Sequence, residues 1–153
     1  MEKINTFVAS ILFITSLIIS SVVMANNHAK SGKDTRQTIV LTEEEREIVL
    51  FEMRSFLEAV QTIVGGLAAN DLAIVTKSAK KVGFVDQEPL PATLKKKLPK
   101  DFKILGMKTH KAFDQLAMDT KEMEDKQQTL EQLGALMKNC VSCHAMFKFK
   151  TDK

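Results

Sequence analysis

The stretch TLEQLGALMKNCVSCHAMFKF, residues 129–149, lies close to the carboxyl end of the 153-residue chain and contains both of its cysteines. Apolar residues recur in it at intervals of three and four, a spacing typical of one face of an α-helix. The pattern continues through the cysteines and runs over Leu130, Leu133, Met137, Cys140, Val141 and His144. We therefore expect the whole stretch to be helical, with both thiols and the imidazole on one face.

Comparable patterns upstream predict three further helices, and the mature chain shows no convincing alternation of period two. Four amphipathic helices with polar connections predict an all-α fold, an antiparallel four-helix bundle over residues 42–150. The connection between the second and third helices carries three prolines and room for one helical turn at Ala92–Lys97. The first helix is predicted to begin after the N-cap Thr42, with Glu45 in a capping box, and to end at Asn70-Asp71. The second is predicted to end at Gly83, the third to begin near Asp101, and the fourth to begin after a cap at Asp125.

The amino terminus has the pattern of a secretory signal peptide. Lys3 precedes an apolar run at Phe7–Met24, and small residues follow at the positions that a signal peptidase reads. We expect residues 1–25 to be removed, which would leave a periplasmic protein with no stable membrane insertion. An uncleaved membrane anchor is the alternative, since the run is long enough to span a bilayer. Residues 26–41 are polar and unpatterned, and we expect a flexible leader there.

Charge and composition narrow the function classes. The chain has 22 basic and 19 acidic residues, a net charge of +3, and its acids and bases are interleaved, so no nucleic-acid interface is expected. One short basic cluster, Lys95–Lys97 with Lys100, is read as solvated surface or, second, as a docking patch for an acidic redox partner. No set of residues resembles an acid–base pair or an activated nucleophile, so we do not expect an enzyme.

The motif Cys140-x-x-Cys143-His144 is typical of covalent haem attachment. Two thiols three residues apart can add to the two vinyl groups of a haem, and the adjacent imidazole can then reach the iron. Three other readings are weaker. A disulfide would close almost no loop. A thioredoxin-like pair should begin a helix after a strand, and a zinc site would need a fourth ligand at the usual spacing.

An exported four-helix bundle with this motif near its carboxyl terminus resembles the cytochrome c′ family, the class II cytochromes c. The resemblance covers about residues 43–149. An aromatic and a basic residue commonly follow the histidine of that family by three and four positions, as Phe147 and Lys148 do here. The resemblance implies one covalent haem c, His144 as proximal ligand and Lys148 close to its imidazole. Because dimers are common in the family, a homodimer is also an expectation.

The resemblance also places the distal residue of the haem on the first helix. Met53 lies there on the apolar stripe, where low-spin relatives have a methionine ligand, although a core methionine is more often simply packing. With Met53 as sixth ligand, the expected function is one-electron transfer between redox partner proteins. Without it, the iron would be five-coordinate in a cramped pocket of Leu50, Phe56 and Leu57, and the protein would bind nitric oxide or carbon monoxide.

Three further candidates are assigned smaller roles. His110 is flanked by Lys108 and Lys111 in the sequence, and we expect it to be solvated or at the haem edge rather than a ligand. Arg54 is expected either at the surface or near a haem propionate. Cleavage after Ala25 would expose Asn26-Asn27-His28, whose amine, backbone amides and imidazole could form a square-planar copper or nickel site.

Overall fold

A computed structural model describes residues 33–84 and 89–152. The predicted signal peptide at 1–25 and the copper motif at 26–28 lie outside the described residues. The part of the chain that is described is mostly helical, with five helices and one small sheet. In chain order the elements are β1 (Gln37–Leu41), α1 (Glu43–Ala69), α2 (Leu72–Lys81), α3 (Ala92–Lys97), α4 (Lys100–Met123), α5 (Lys126–Met146) and β2 (Phe147–Thr151).

Helix α1 begins with the predicted capping box. The Glu45 amide donates to the Thr42 hydroxyl at 3.3 Å, and the Thr42 amide donates to the Glu45 carboxylate at 3.0 Å. The helix ends at Asn70, which adopts a left-handed conformation with φ 59°. Gly66 does not end α1 early, because it permits close contact with α2: a Cβ atom there would lie 2.6 Å from a methyl group of Ile74.

The predicted starts of α2 and α5 are also confirmed. The Asp71 carboxylate accepts from the Ile74 amide at 3.0 Å, and the Asp125 carboxylate accepts from the Gln127 amide at 2.8 Å. Side-chain acceptors of this kind satisfy amides that have no partner within the helix. The single helical turn expected at Ala92–Lys97 is present as α3. The local pattern therefore predicts where most helices begin.

Two predictions about the ends of the domain are wrong. Residues 147–149 were expected to continue the last helix, and 37–41 were expected to belong to a flexible leader. Both segments are instead strands, paired in parallel with the register Gln37↔Phe147 through Leu41↔Thr151. The physical reason is burial of alternate side chains, since Ile39, Leu41 and Phe147 are buried while their neighbours face outward. Five residues of alternation are too few to stand out in the sequence.

The buried side chains form two clusters. The first is contributed by α1, α2, α4 and α5, together with Val82, which follows α2, and it includes Ile63, Val75, Phe113 and Leu133. The second joins the sheet to α1, α3 and α4; its buried members are Ile39, Leu41, Val49, Leu94, Leu98, Phe102 and Phe147. The Phe102 and Phe147 rings meet edge to face with centroids 5.5 Å apart, a favourable arrangement for aromatic pairs. The second cluster therefore ties both ends of the described domain to the helices.

None of the helices in residues 33–84 and 89–152 is both long and apolar enough to cross a membrane.

His110 is buried, with 8% of its surface exposed, which overturns the expectation that it is solvated. Its Nδ1 lies 2.8 Å from the Val82 carbonyl oxygen, and its Nε2 lies 2.7 Å from a carboxylate oxygen of Glu52. Burial lowers the pKa of His110, but the hydrogen bonds to Glu52 and Val82 and the charges of Glu52 and Asp114 outweigh it, so the pKa is raised. In the charged form both ring nitrogens donate, and the imidazolium joins α4 to α1.

This pairing predicts a pH-dependent stability. The pKa of His110 in the folded protein lies above its ordinary 6.5. Its contribution is therefore fully present below pH 6.5 and is lost as the pH rises through the folded value. Glu52→Gln should lower the free energy of unfolding by about 1–3 kcal/mol near pH 6 and by less at alkaline pH. Urea unfolding followed by circular dichroism measures this. The matched control is Glu58→Gln, which changes an exposed glutamate on the same helix. A loss of unfolding free energy in Glu52→Gln that is the same at every pH would contradict the prediction.

Candidate functional site

The motif residues lie on the last two turns of α5, where the helix gives way to β2. The Phe147 amide caps the helix by donating to the Cys143 carbonyl oxygen. Pairing of β2 with β1 starts at that same residue, so the sheet determines where α5 ends. The Arg36 guanidinium, just before β1, donates to the His144 carbonyl oxygen at 3.4 Å. The position of the motif is thus fixed by contacts from the opposite end of the described domain.

Both thiols are free and partly buried. Burial raises the pKa of Cys140, and burial together with the charge of Cys140 raises the pKa of Cys143. A redox-active dithiol has a lowered pKa instead, because the thiolate is the reactive form. His144 is exposed at the end of the helix. The site therefore combines two protonated thiols with an accessible imidazole.

One side of α5 packs against α4. Near the turn between them, the Gln132 amide donates to the Asp119 carboxylate, and the Thr120 and Thr129 hydroxyl oxygens lie 3.1 Å apart. At 100° per residue, Val141 lies on the opposite side of the helix from Gln132. That side is apolar but exposed, and Val141 has 69% of its surface accessible.

Helices α1 and α5 share a surface groove. Val64, Leu67 and Ala68 of α1 and Lys126, Gln127 and Leu130 of α5 line it. On α1, the residues 4, 7, 11 and 14 positions before Val64 lie on the same helix face; they are Val60, Leu57, Met53 and Leu50. On α5, the residues 7, 11 and 14 positions after Leu130 lie on the same face; they are Met137, Val141 and His144. We call these two stripes and the space between them the α1–α5 groove.

Apolar side chains are left open to solvent along this groove. Leu57 is 70% exposed, and Val64, Leu130 and Met137 are also exposed. Isolated exposed apolar residues are common on proteins, but a contiguous apolar surface marks a binding site. The same repeats that carry these apolar residues bring Met53 and His144 onto the two walls.

Met53 occupies an intermediate position. Its side chain is partly buried and packs against both hydrophobic clusters, and Cys143 packs against the second of them. Met53 and the motif therefore border a common cluster although 87–91 residues separate them in the chain. Phe56, expected in the distal pocket, instead stacks on Phe113 in the first cluster, with ring centroids 5.5 Å apart.

The remaining predicted residues take other places. Arg54 is exposed and forms an ion pair with Glu47 at 3.4 Å, a surface role. Lys148 lies in β2, in register with Thr38, and its side chain alternates with those of Phe147 and Phe149. His110 is engaged with Glu52 and Val82, so it is a structural residue of the core. Sequence reasoning missed Arg36, whose role depends on a strand pairing that no local pattern showed.

Among the residues that the structure describes, no group of three or more histidine, cysteine, aspartate or glutamate side chains is arranged to hold a metal ion. Comparison of the chain with protein-family models, curated proteins and solved structures gave no significant match.

The thiol environment predicts slow alkylation. Because the pKa values of Cys140 and Cys143 both lie above the ordinary 9.0, little thiolate is present at neutral pH. In the haem-free protein, the rate of reaction with iodoacetamide should still be rising above pH 9, whereas a peptide of residues 137–149 should level off earlier. A midpoint below about pH 8, as in reactive dithiols, would contradict the raised pKa values of the two thiols and would favour a redox-active pair.

Proposed function

We propose that this protein is an exported, periplasmic c-type cytochrome that carries single electrons by means of one covalently attached haem c. The observation that carries the proposal is the Cys140-x-x-Cys143-His144 motif on α5, whose His144 recurs on the same helix face as Leu130 of the α1–α5 groove. In this proposal α1, α2, α4 and α5 form an antiparallel four-helix bundle, and the haem lies in the α1–α5 groove. Residues 1–25 act as the signal peptide.

The residues present suit a haem. Cys140 and Cys143 are free thiols one helical turn apart, as two thioether bonds require. His144 is accessible and would be the proximal ligand. A haem has a broad apolar face, which would cover Leu57, Met137 and Val141. The group would supply one-electron redox chemistry, and the chain would hold it, orient it and exclude water from it.

Met53 is proposed as the distal ligand. Its side chain is partly buried and lies on the face of α1 that lines the groove. Met53 precedes Val64 by 11 positions on α1, just as Val141 follows Leu130 by 11 positions on α5. A thioether ligand raises the reduction potential of the iron and closes its sixth position to exogenous ligands. These properties suit an electron carrier that exchanges electrons with partner proteins.

A second candidate function rests on the neighbours of Met53. Leu50 and Leu57 lie on the same face of α1, and both are apolar. If the Met53 thioether does not bind the iron, these side chains would leave a small, dry pocket at an open coordination position. The protein would then bind nitric oxide or carbon monoxide rather than carry electrons.

The first test concerns haem attachment. Protein made in a host able to attach haem should give a pyridine haemochrome equivalent to one haem per chain, not removed by acid–acetone. Cys140→Ser combined with Cys143→Ser should abolish covalent haem. Ser142→Ala, an exposed position inside the motif, is the matched control and should retain it. A wild-type chain that emerges without haem would leave a dithiol protein and refute the proposal.

The second test separates the two functions. With Met53 bound, the ferric protein should be low-spin with a methionine–iron charge-transfer band, and carbon monoxide should not change the ferrous spectrum. Met53→Ala should give a high-spin spectrum that shifts with the gas. Met107→Ala, at an exposed methionine of α4, should behave as the wild type. A wild-type protein that is already high-spin would assign the function to gas binding.

A further inference from the structure

Lysines concentrate on the elements that enclose the second hydrophobic cluster. Lys95 and Lys96 on α3 and Lys100 at the start of α4 are exposed, and Lys103 is partly buried. Lys150 is exposed on β2, whose partner strand β1 contacts α3. The Lys103 ammonium donates to the Lys95 carbonyl oxygen at 3.3 Å, so α3 and α4 present one continuous surface. We call these five residues the lysine surface.

Carboxylates do little to neutralise this surface. In the described part of the chain, the acids nearest in sequence to these lysines are Asp101 in the first turn of α4 and Asp152 after β2. The other acids of α4, Asp114, Asp119 and Glu122, lie 11 or more positions beyond Lys103. Glu45 is already paired with another lysine, Lys97, at 2.6 Å. The exposed acids of the neighbouring α1, Glu43, Glu44 and Glu47, lie in its first two turns, where Arg46 pairs with two of them. The result is a basic surface next to an acidic helix start.

The lysine surface is backed by the cluster that Cys143 contacts. Leu94 lies beneath Lys95, and Leu98 and Phe102 lie beneath Lys100 and Lys103; all three are buried members of the second cluster. Cys143 packs against that same cluster from α5. The lysine surface and Cys143 therefore border the same apolar cluster.

We propose that the lysine surface is the docking surface for an acidic redox partner protein. This inference rests on the proposed function, because it takes electron exchange to be the purpose of docking. Complementary charge steers a partner to the end of the molecule that holds Cys143 and raises the rate of encounter. In the exchange that docking serves, one centre gives up one electron and the other accepts it, with no bond or proton transferred.

The composition of the surface favours a protein over a lipid bilayer. Binding to an anionic membrane combines lysines with large apolar side chains that enter the lipid. In the described residues, neither α3 nor β2 exposes a large hydrophobic side chain. The nearest exposed ones are two single aliphatic residues, Val40, which is the cross-strand partner of Lys150 and is 47% exposed, and Ile104 of α4, which is 38% exposed. Transient encounters between redox proteins bury little surface and are steered by complementary charge.

The test uses two double variants that change the net charge equally. Lys95→Glu with Lys96→Glu alters the lysine surface. Lys77→Glu with Lys121→Glu alters exposed lysines on α2 and in the last turn of α4, the latter about 30 Å from Lys100 along the helix. Circular dichroism establishes that both variants are folded.

The first readout is kinetic. The reduced haem protein is mixed with ferricyanide, an anionic one-electron oxidant, at low ionic strength. We expect Lys95→Glu/Lys96→Glu to slow oxidation at least about fivefold more than the control variant, and added salt to remove the difference. Equal slowing in the two variants would show a net-charge effect only and would overturn the docking surface.

The second readout does not depend on electron transfer. Hexacyanochromate(III), a redox-inert paramagnetic anion, broadens the amide resonances close to where it binds. The broadened amides should belong to α3, the first turns of α4 and β2, and Lys95→Glu/Lys96→Glu should abolish the effect. Broadening centred elsewhere would overturn the inference. A chain that holds no haem, or exchanges no electron with ferricyanide, would refute the proposed function, while this mapping still reports on the surface separately.

Discussion

The placement of the motif depends on the burial of one aromatic side chain at the point where a helix ends. Phe147 is buried against Phe102, and this contact draws the chain out of α5 directly after Met146. The chain then pairs with β1, which brings Arg36 to the His144 carbonyl oxygen. An isolated helix end frays because its last carbonyls lack partners. Here the strand pair holds that end, so Cys143 and His144 keep a fixed place relative to the rest of the core.

A second constraint fixes the rotation of α1. Glu52 points toward α4, where it meets the buried imidazole of His110. The next residue, Met53, is turned by 100° about the helix axis. It therefore faces the α1–α5 groove while Glu52 remains in contact with α4. The pair also explains why a histidine flanked by lysines is buried: its two hydrogen bonds satisfy both ring nitrogens, which offsets the cost of removing them from water.

Local patterns predicted the helices well because caps and spacing are short-range properties. Thr42, Asp71 and Asp125 each cap the helix expected of them. The sheet escaped prediction because its strands lie at opposite ends of the domain and each has only five residues. Parallel pairing of distant segments leaves almost no local signal. The roles of His110 and Arg36 escaped for the same reason, since their partners Glu52 and His144 lie 58 and 108 positions away.

The residues of the candidate site also differ in how far they can be predicted from local sequence. Cys140, Cys143 and His144 are recognisable from spacing alone, because their chemistry requires neighbouring positions on one helix. The opposite wall is recognisable only in part, since a methionine on an apolar helix face is ordinarily core. What the structure adds is the environment of Met53: neither fully buried nor free, it lies on a face whose apolar residues are left open to solvent. Met53 packs against both hydrophobic clusters and yet is only partly buried, and Leu57 and Val64 on the same face of α1 are exposed. The exposed apolar residues beside Met53, more than the methionine itself, therefore support the proposal that a haem lies against this face of α1.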